Sequence, residues 1–378
     1  MILHLRHETP DHRPHSSDAQ PPQRPLCRED FEIAIICALP LEYNAVSYLF
    51  DEFWDDHGDQ YGRAAGDPNS YTTGRMGNYN VVLALLPHMG KVNAAGAAAS
   101  MRGSYSSLRL ALLVGVCGAA PYTQKDEILL GDVIISKTVV QHDFGRQYEN
   151  GFIRKETTGD SLGRANKDIR NLVAILETDR GNDWLKDRTA QFLEKLQDEV
   201  ALKRPGKYDH PGLAKDKLYK THYRHKHHKS KKCVCRSHTG GTDPVCDEAL
   251  DSSCANLGCD EKYLVERNRL RALKQNSKQE SKRISAPPAV HVGAVASGDG
   301  VIKSAAYRDM MSKDAGVIAF EMEGAGVWDE VPSIVVKGVC DYADSHKNKD
   351  WQDFAAATAA SACKAILERY IRTDKVAG

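Results

Sequence analysis

No stretch of this 378-residue chain approaches the apolar length that a membrane-spanning helix needs, roughly 20 residues. After Met1-Ile2-Leu3 the chain turns to His, Arg, Glu and Pro, with no apolar h-region, so no secretory signal is expected. Net charge is also missing, since 51 Lys and Arg balance 51 Asp and Glu. Aromatics are sparse, at 7%. The basic run from Tyr223 to Lys232 lacks the interleaved rings of a single-strand platform, which argues against a nucleic-acid partner. No internal repeat is evident.

Charge is present but uneven. Residues 201–290 hold 20 Lys and Arg against 10 Asp and Glu, a local +10 that the remainder must offset with −10. Six of the 15 histidines fall in the same window. A solvated loop is the ordinary reading of such a segment, and a contact with phosphates the sharper one. Of the 10 cysteines, Cys37, Cys117, Cys340 and Cys363 stand in apolar or Ala-rich context and read as buried small residues. With no signal peptide, free thiols in a reducing cytoplasm are expected.

Residues 1–28, rich in Pro, His, Gln and Asp, read as a disordered tail ahead of a domain over 29–378. Strands are predicted at 31–38, 109–119, 129–136, 290–299, 316–323 and 333–340, with a hairpin of 71–76 and 78–86 turning at Gly77-Asn78. Pro40 opens a helix at its first turn. Further helices are predicted at 91–103, 166–176, 185–202, near 304–314, 324–330 and 353–370. Alternation of strand and helix implies an α/β fold: three layers, with a largely parallel mixed sheet flanked by helices. From about 203 to 288 the apolar periodicity is lost, and the segment reads as one long irregular insertion. The sheet is expected to need none of residues 205–285, which makes the insertion peripheral.

Chemistry concentrates in FEMEGAG at 320–326 and CDYADS at 340–345. Glu321 and Glu323 flank Met322 just after an apolar run, and a second run ends in Asp341. Open α/β sheets place their chemistry at such strand ends. Cutting a purine from ribose needs a proton for the departing base, a grip on the sugar hydroxyls, and an activated nucleophile on the far face. Asp341 is the candidate acid, Glu323 the candidate for the ribose hydroxyls, and Met322 an apolar floor for the sugar. Glu321 either joins Glu323 or supports it.

These segments resemble the nucleoside phosphorylase superfamily, above all its 5′-methylthioadenosine/S-adenosylhomocysteine nucleosidase branch and the nucleoside-phosphorylase-like domains of fungal proteins. IICALPLE at 35–42, HMGKVNAA at 88–95, LVGVCGAA at 113–120, LGDVIIS at 130–136, SGDGVI at 297–302, FEMEGAG and CDYADS carry the resemblance in order, over roughly 30–155 and 288–372. It implies that Glu42 activates water and Asp341 acts on the purine. It implies base contacts from Val116, Cys117, Gly118, Val301 and Ile302, a 5′ side near Leu39 and Met89, no required cofactor, a small purine nucleoside or nucleotide as partner, and a homo-oligomer. Leu39-Pro40-Leu41-Glu42 replaces the cationic loop a phosphorylase needs, which favours hydrolysis. Phosphorolysis on the same fold is the alternative, and a non-catalytic nucleotide-sensing module of a fungal defence system is the second. Cys340 and Val116 depart from the polar residues usual at those places.

The insertion also holds Cys233, Cys235, Cys246, Cys254 and Cys259 among several histidines. Thiolates and imidazoles at this density suit structural zinc, although C-x-C, x10, x7 and C-x4-C is no standard finger or ribbon spacing. Free thiols in a loose loop and disulfides are the other readings.

Overall fold

The structure is a computed structural model and describes residues 24–371 except 150, 158, 231, 238–242 and 277–286. Most of the tail expected at 1–28 lies outside the described residues. Its last part makes contact with the domain, where Arg24 Nη2 donates to Trp54 O at 2.7 Å. No helix among the described residues is long and apolar enough to cross a membrane.

Among the described residues eleven strands form: β1 (Ile33–Cys37), β2 (Glu52–Phe53), β3 (Tyr71–Met76), β4 (Tyr79–Leu85), β5 (Leu110–Ala119), β6 (Val133–Gln141), β7 (Gly145–Tyr148), β8 (Gly151–Arg154), β9 (Val290–Ser297), β10 (Val317–Glu321) and β11 (Ser333–Asp341). Nine make one sheet in the order β10-β9-β6-β11-β5-β1-β4-β3-β2, and β7-β8 is a separate hairpin. β4, β1, β5 and β11 run parallel, as do β6, β9 and β10. The two sets meet antiparallel, β11 against β6 and β10 against β5. The β10–β5 pairing curls five strands back on themselves. Helices cover the sheet, so the fold is the mixed α/β arrangement that the alternation of elements predicts.

β1 and β11 are buried at every position, as parallel strands between helices should be. The closing helix Gln352–Arg369 is buried along nearly its whole length. Its Ala-rich sequence lets the backbone approach β11, where a Cβ on Gly338 would meet Ala355 O at 1.9 Å. The strand expected at 129–136 begins later, at Val133. Gly131 takes φ +90°, and Asp132 Oδ2 accepts the Leu129 N–H at 2.8 Å, so residues 129–132 form a turn.

Among the described residues the insertion adds no strand to the sheet, and its helices are at most nine residues long. It is nevertheless not peripheral. Asp216 and Arg267 are ion-paired and almost fully buried. Tyr342 Oη donates to Asp216 Oδ1 at 2.8 Å, and Arg267 donates to the same hydroxyl. The insertion therefore lies directly behind the segment that follows Asp341. Periodicity was silent on this because the contacts are polar and single, not a repeating apolar face.

Asp132 joins the insertion to the sheet from the other end. Its carboxylate accepts from Arg269 Nη2 at 2.8 Å, Ala289 N at 2.9 Å and His291 Nε2 at 3.0 Å. Burial opposes its charge, but Arg269 and His291 outweigh burial and hold its pKa down at about 2, against an ordinary 3.8. A depressed carboxylate contributes stability above its unfolded value and loses it as pH falls through its folded value. The shift corresponds to about 2 kcal/mol. Asp132→Asn should therefore unfold more easily than the parent at neutral pH in urea. The gap between the two should close as pH falls from about 4 towards 2. A gap that is constant with pH would deny Asp132 this role.

Candidate functional site

One cavity of about 420 Å³ lies where strand ends converge. It is lined by Leu39, Glu42, Met89, Val116, Cys117, Gly118, Val301, Ile302, Glu321, Met322, Glu323 and Asp341, with Lys347 and Lys349 at one side. Every residue singled out for the site from the sequence thus borders a single space. No arginine lines it among the described residues.

The strand directions explain the convergence. β1 delivers Glu42 in the first turn of helix Pro40–Ser47, and β11 ends on Asp341. β10 arrives from the opposite direction, with Phe320 paired to Gly118, and brings Glu321 and Glu323 beside the end of β5. Gly118 also pairs with Asp341 on its other side. β5 runs through Ala119, where the predicted strand at 109–119 ends, and its last residues have partners on both edges. Its glycines make room. A Cβ on Gly115 would sit 2.2 Å from Glu42 Oε1, and one on Gly118 would sit 2.7 Å from Asp341 Oδ1.

Glu42 is 2% exposed. Its Oε2 accepts the Ala38 and Leu39 N–H groups, both at 2.9 Å, which closes the helix's first turn. Its Oε1 accepts Val116 N–H at 2.8 Å. Each carboxylate oxygen takes two donors, so one site on Oε1 is left over. Capping explains the Oε2 bonds but not the reach across to β5. Burial pushes the Glu42 pKa above the ordinary 4.5, with Lys337 pulling the other way.

Lys337 is the residue that sequence reasoning missed. It is 2% exposed in the middle of β11, and its Nζ donates to Glu323 Oε2 at 3.1 Å. Burial pulls its pKa down, but Glu323, Glu42 and Glu321 outweigh burial and hold it above its ordinary value. The available signal was a single cation inside SIVVKGVC, four residues before Asp341.

Glu323 Oε1 accepts the Gly90 N–H at 3.4 Å, at the start of helix Lys91–Ser104. Glu321 bends back to accept from Glu323 N at 3.0 Å and Gly324 N at 2.9 Å, so it shapes the turn that presents Glu323. Burial, then the charge of Glu323, raises the Glu321 pKa. Asp341 Oδ1 accepts the Ala343 N–H at 2.8 Å, and Lys347 Nζ lies 3.0 Å from Oδ2. Ala343 reaches back by adopting φ +51°, the one positive φ outside glycine among the described residues. The cysteine before Asp341 also contributes, with Cys340 Sγ 3.4 Å from Asp341 Oδ2. At the mouth, Met89 and Val301 are 45% and 51% exposed.

Three buried carboxylates around one ammonium make an anion-repelling pocket that can accept hydroxyl and water protons. Lys337→Met should leave those carboxylates uncompensated and cost about 3–5 kcal/mol in urea unfolding. Adding Glu323→Gln to that variant should recover part of the loss. Strict additivity of the two changes would show that the residues do not couple.

The model of the family described as the Phosphorylase superfamily matches residues 32–175 and 238–372. A nucleotide-binding leucine-rich repeat (NLR)-like protein of Hyaloscypha variabilis is 30% identical over 351 residues, which are 90% of this chain and 30% of that protein. A 5′-methylthioadenosine/S-adenosylhomocysteine nucleosidase of Mycobacterium tuberculosis is 32% identical over 128 residues, 32% of this chain and 45% of that one. The chain thus spans less than half the length of either relative. Among solved structures, an S-adenosylhomocysteine nucleosidase of Streptococcus pyogenes aligns with TM-score 0.49 and 17% identity, over 91% of this chain and 98% of that chain.

Proposed function

The chain belongs to the phosphorylase superfamily, and within it we propose that it hydrolyses the N-glycosidic bond of a purine nucleoside, most simply an adenine nucleoside. The observation that carries this reading is Glu42: a buried carboxylate bordering the cavity with three backbone donors and one acceptor site to spare. A water bound to that site would lose its proton to Oε1 as it attacks the anomeric carbon. Burial makes Glu42 a stronger base than an exposed glutamate.

Glu323, oriented by Lys337 and by the helix start at Gly90, would accept from the ribose hydroxyls. Met322 lies beside it in the cavity wall. Asp341 would share a proton with the departing base. Lys347, bonded to the same carboxylate, stabilises it once the proton has gone. Val116, Cys117, Gly118, Val301 and Ile302 would bound the base, and Leu39 and Met89 the 5′ side. Phosphorolysis is disfavoured because phosphate would have to enter beside Glu42, Glu321 and Glu323, whose one buried cation, Lys337, is already bonded to Glu323. A 5′-phosphorylated substrate is a second reading, favoured by Lys349 on the cavity wall.

Incubation with adenosine, methylthioadenosine, AMP and ATP, followed by chromatography, should release free base without added phosphate and yield the sugar rather than its 1-phosphate. Dependence on phosphate would move the protein to phosphorolysis. Base release from none of the four would point to a nucleotide-sensing module.

Glu42→Gln and Asp341→Asn should each lower kcat by about 10²–10⁴-fold while substrate still binds. Glu323→Gln should raise KM as well. Because the base must be ionised and its pKa is raised, kcat/KM should fall on acidification with a midpoint above 4.5. A rate that is flat down to that pH would remove Glu42 from the base role.

A further inference from the structure

The cysteines and histidines of the insertion do not form a loose loop. Cys254 Sγ lies 3.6 Å from both His225 Nδ1 and His346 Nδ1. Cys259 Sγ lies 3.7 and 3.8 Å from the same two nitrogens. All four atoms fall within 4.8 Å of one another. A tetrahedral zinc ion, with Zn–S about 2.3 Å and Zn–N about 2.0–2.1 Å, holds sulfur and nitrogen ligands about 3.6 Å apart. The four separations match the sulfur–nitrogen edges of that tetrahedron.

The far side of each imidazole supplies an independent observation. His225 Nε2 faces Ser252 O at 2.8 Å, and His346 Nε2 faces Tyr223 O at 2.9 Å. A carbonyl can only accept, so each Nε2 carries a proton, and in the neutral imidazole each Nδ1 presents a lone pair to the cysteines. Protein-bound zinc sites fix their histidine tautomers in this way. Both imidazoles are buried, and His346 is also stacked on Tyr219 at 4.1 Å between ring centroids.

We propose that His225, Cys254, Cys259 and His346 bind a structural zinc ion that fastens the insertion to the loop following Asp341. Three of these ligands belong to the insertion, and the fourth stands five residues beyond Asp341, next to Lys347. The ion would fix the backbone from which Lys347 reaches Asp341. That consequence rests on the nucleosidase reading, whereas the metal site does not.

A second cluster is carried by its own geometry. Cys233 Sγ lies 3.2 Å from Cys235 Sγ and 3.5 Å from Cys246 Sγ, and Cys235 and Cys246 are 3.8 Å apart. Two thiolates on one zinc ion stand about 3.8 Å apart. His227 groups with Cys233 and Cys246, and its buried Nε2 makes no hydrogen bond, with Glu248 Oε2 3.6 Å away. The geometry assigns a second zinc ion to His227, Cys233 and Cys246, with Cys235 Sγ, beside the two thiolates, as the fourth donor after a small side-chain adjustment.

The full chain, purified under reducing conditions and passed over a chelating resin, should carry two zinc ions per chain by elemental mass spectrometry. Cys254→Ser and His346→Asn should each lower this to one, and so should Cys233→Ser. Cys254→Ser combined with Cys233→Ser should retain none. Two ions retained by His346→Asn would overturn the shared site, and fewer than one ion in the parent would overturn both. A native intact mass showing a Cys254–Cys259 disulfide would do the same for the first site. Should the single variants not fold, parent protein produced in cobalt medium decides the matter. Two cobalt ions per chain with thiolate-to-metal charge-transfer absorption support the assignment, and one or none overturns it.

Discussion

Everything around the cavity follows from burying several carboxylates together. Glu42, Glu321, Glu323 and Asp341 are each at most 6% exposed. Isolated buried charges are too costly to keep, so each must be paired or hydrogen-bonded. The chain answers with Lys337 in the sheet, Lys347 beside Asp341, and backbone N–H groups at Ala38, Leu39, Val116, Gly324 and Ala343. Those donors exist only where strands end and the ladder stops consuming them. The chemistry and the strand termini are therefore one feature.

The same requirement governs the second layer. Asp341 is the last residue of β11, and the segment after it must hold its course without sheet partners. Tyr342 is gripped from behind by Asp216 and Arg267, Ala343 turns back in a left-handed conformation, and His346 is packed among Tyr219, Tyr223 and His225. A segment that adds no strand to the sheet thus supplies the backing for the loop beside Asp341.

Much of this could be read from the residues in order. Apolar runs located the strands because strands buried on both faces leave no other pattern. The twelve positions named from the sequence border one cavity because their motifs sit at strand ends, and strand ends converge. Lys337 was not legible: it lies within an apolar run, and only the three-dimensional crowd of carboxylates explains it. The grouping of His346 with Cys254 was hidden for a different reason, since the two are 92 positions apart and no spacing rule spans that interval. Gly115 and Gly118 stand inside a predicted strand, where glycine packs nothing. Their function is clearance for carboxylates from neighbouring elements, which no local reading reveals.

The cavity mouth has a different character from its floor. Met89 and Val301 are about half exposed and make none of the hydrogen bonds that hold the carboxylates, whereas Glu42 is locked against a glycine of the neighbouring strand. Substitution at the mouth leaves the charge array undisturbed, and substitution at the floor does not. Exchange of a few rim side chains would therefore reshape the cavity's entrance without disturbing its charged floor. Libraries intended to redirect the cavity would be best confined to those rim positions.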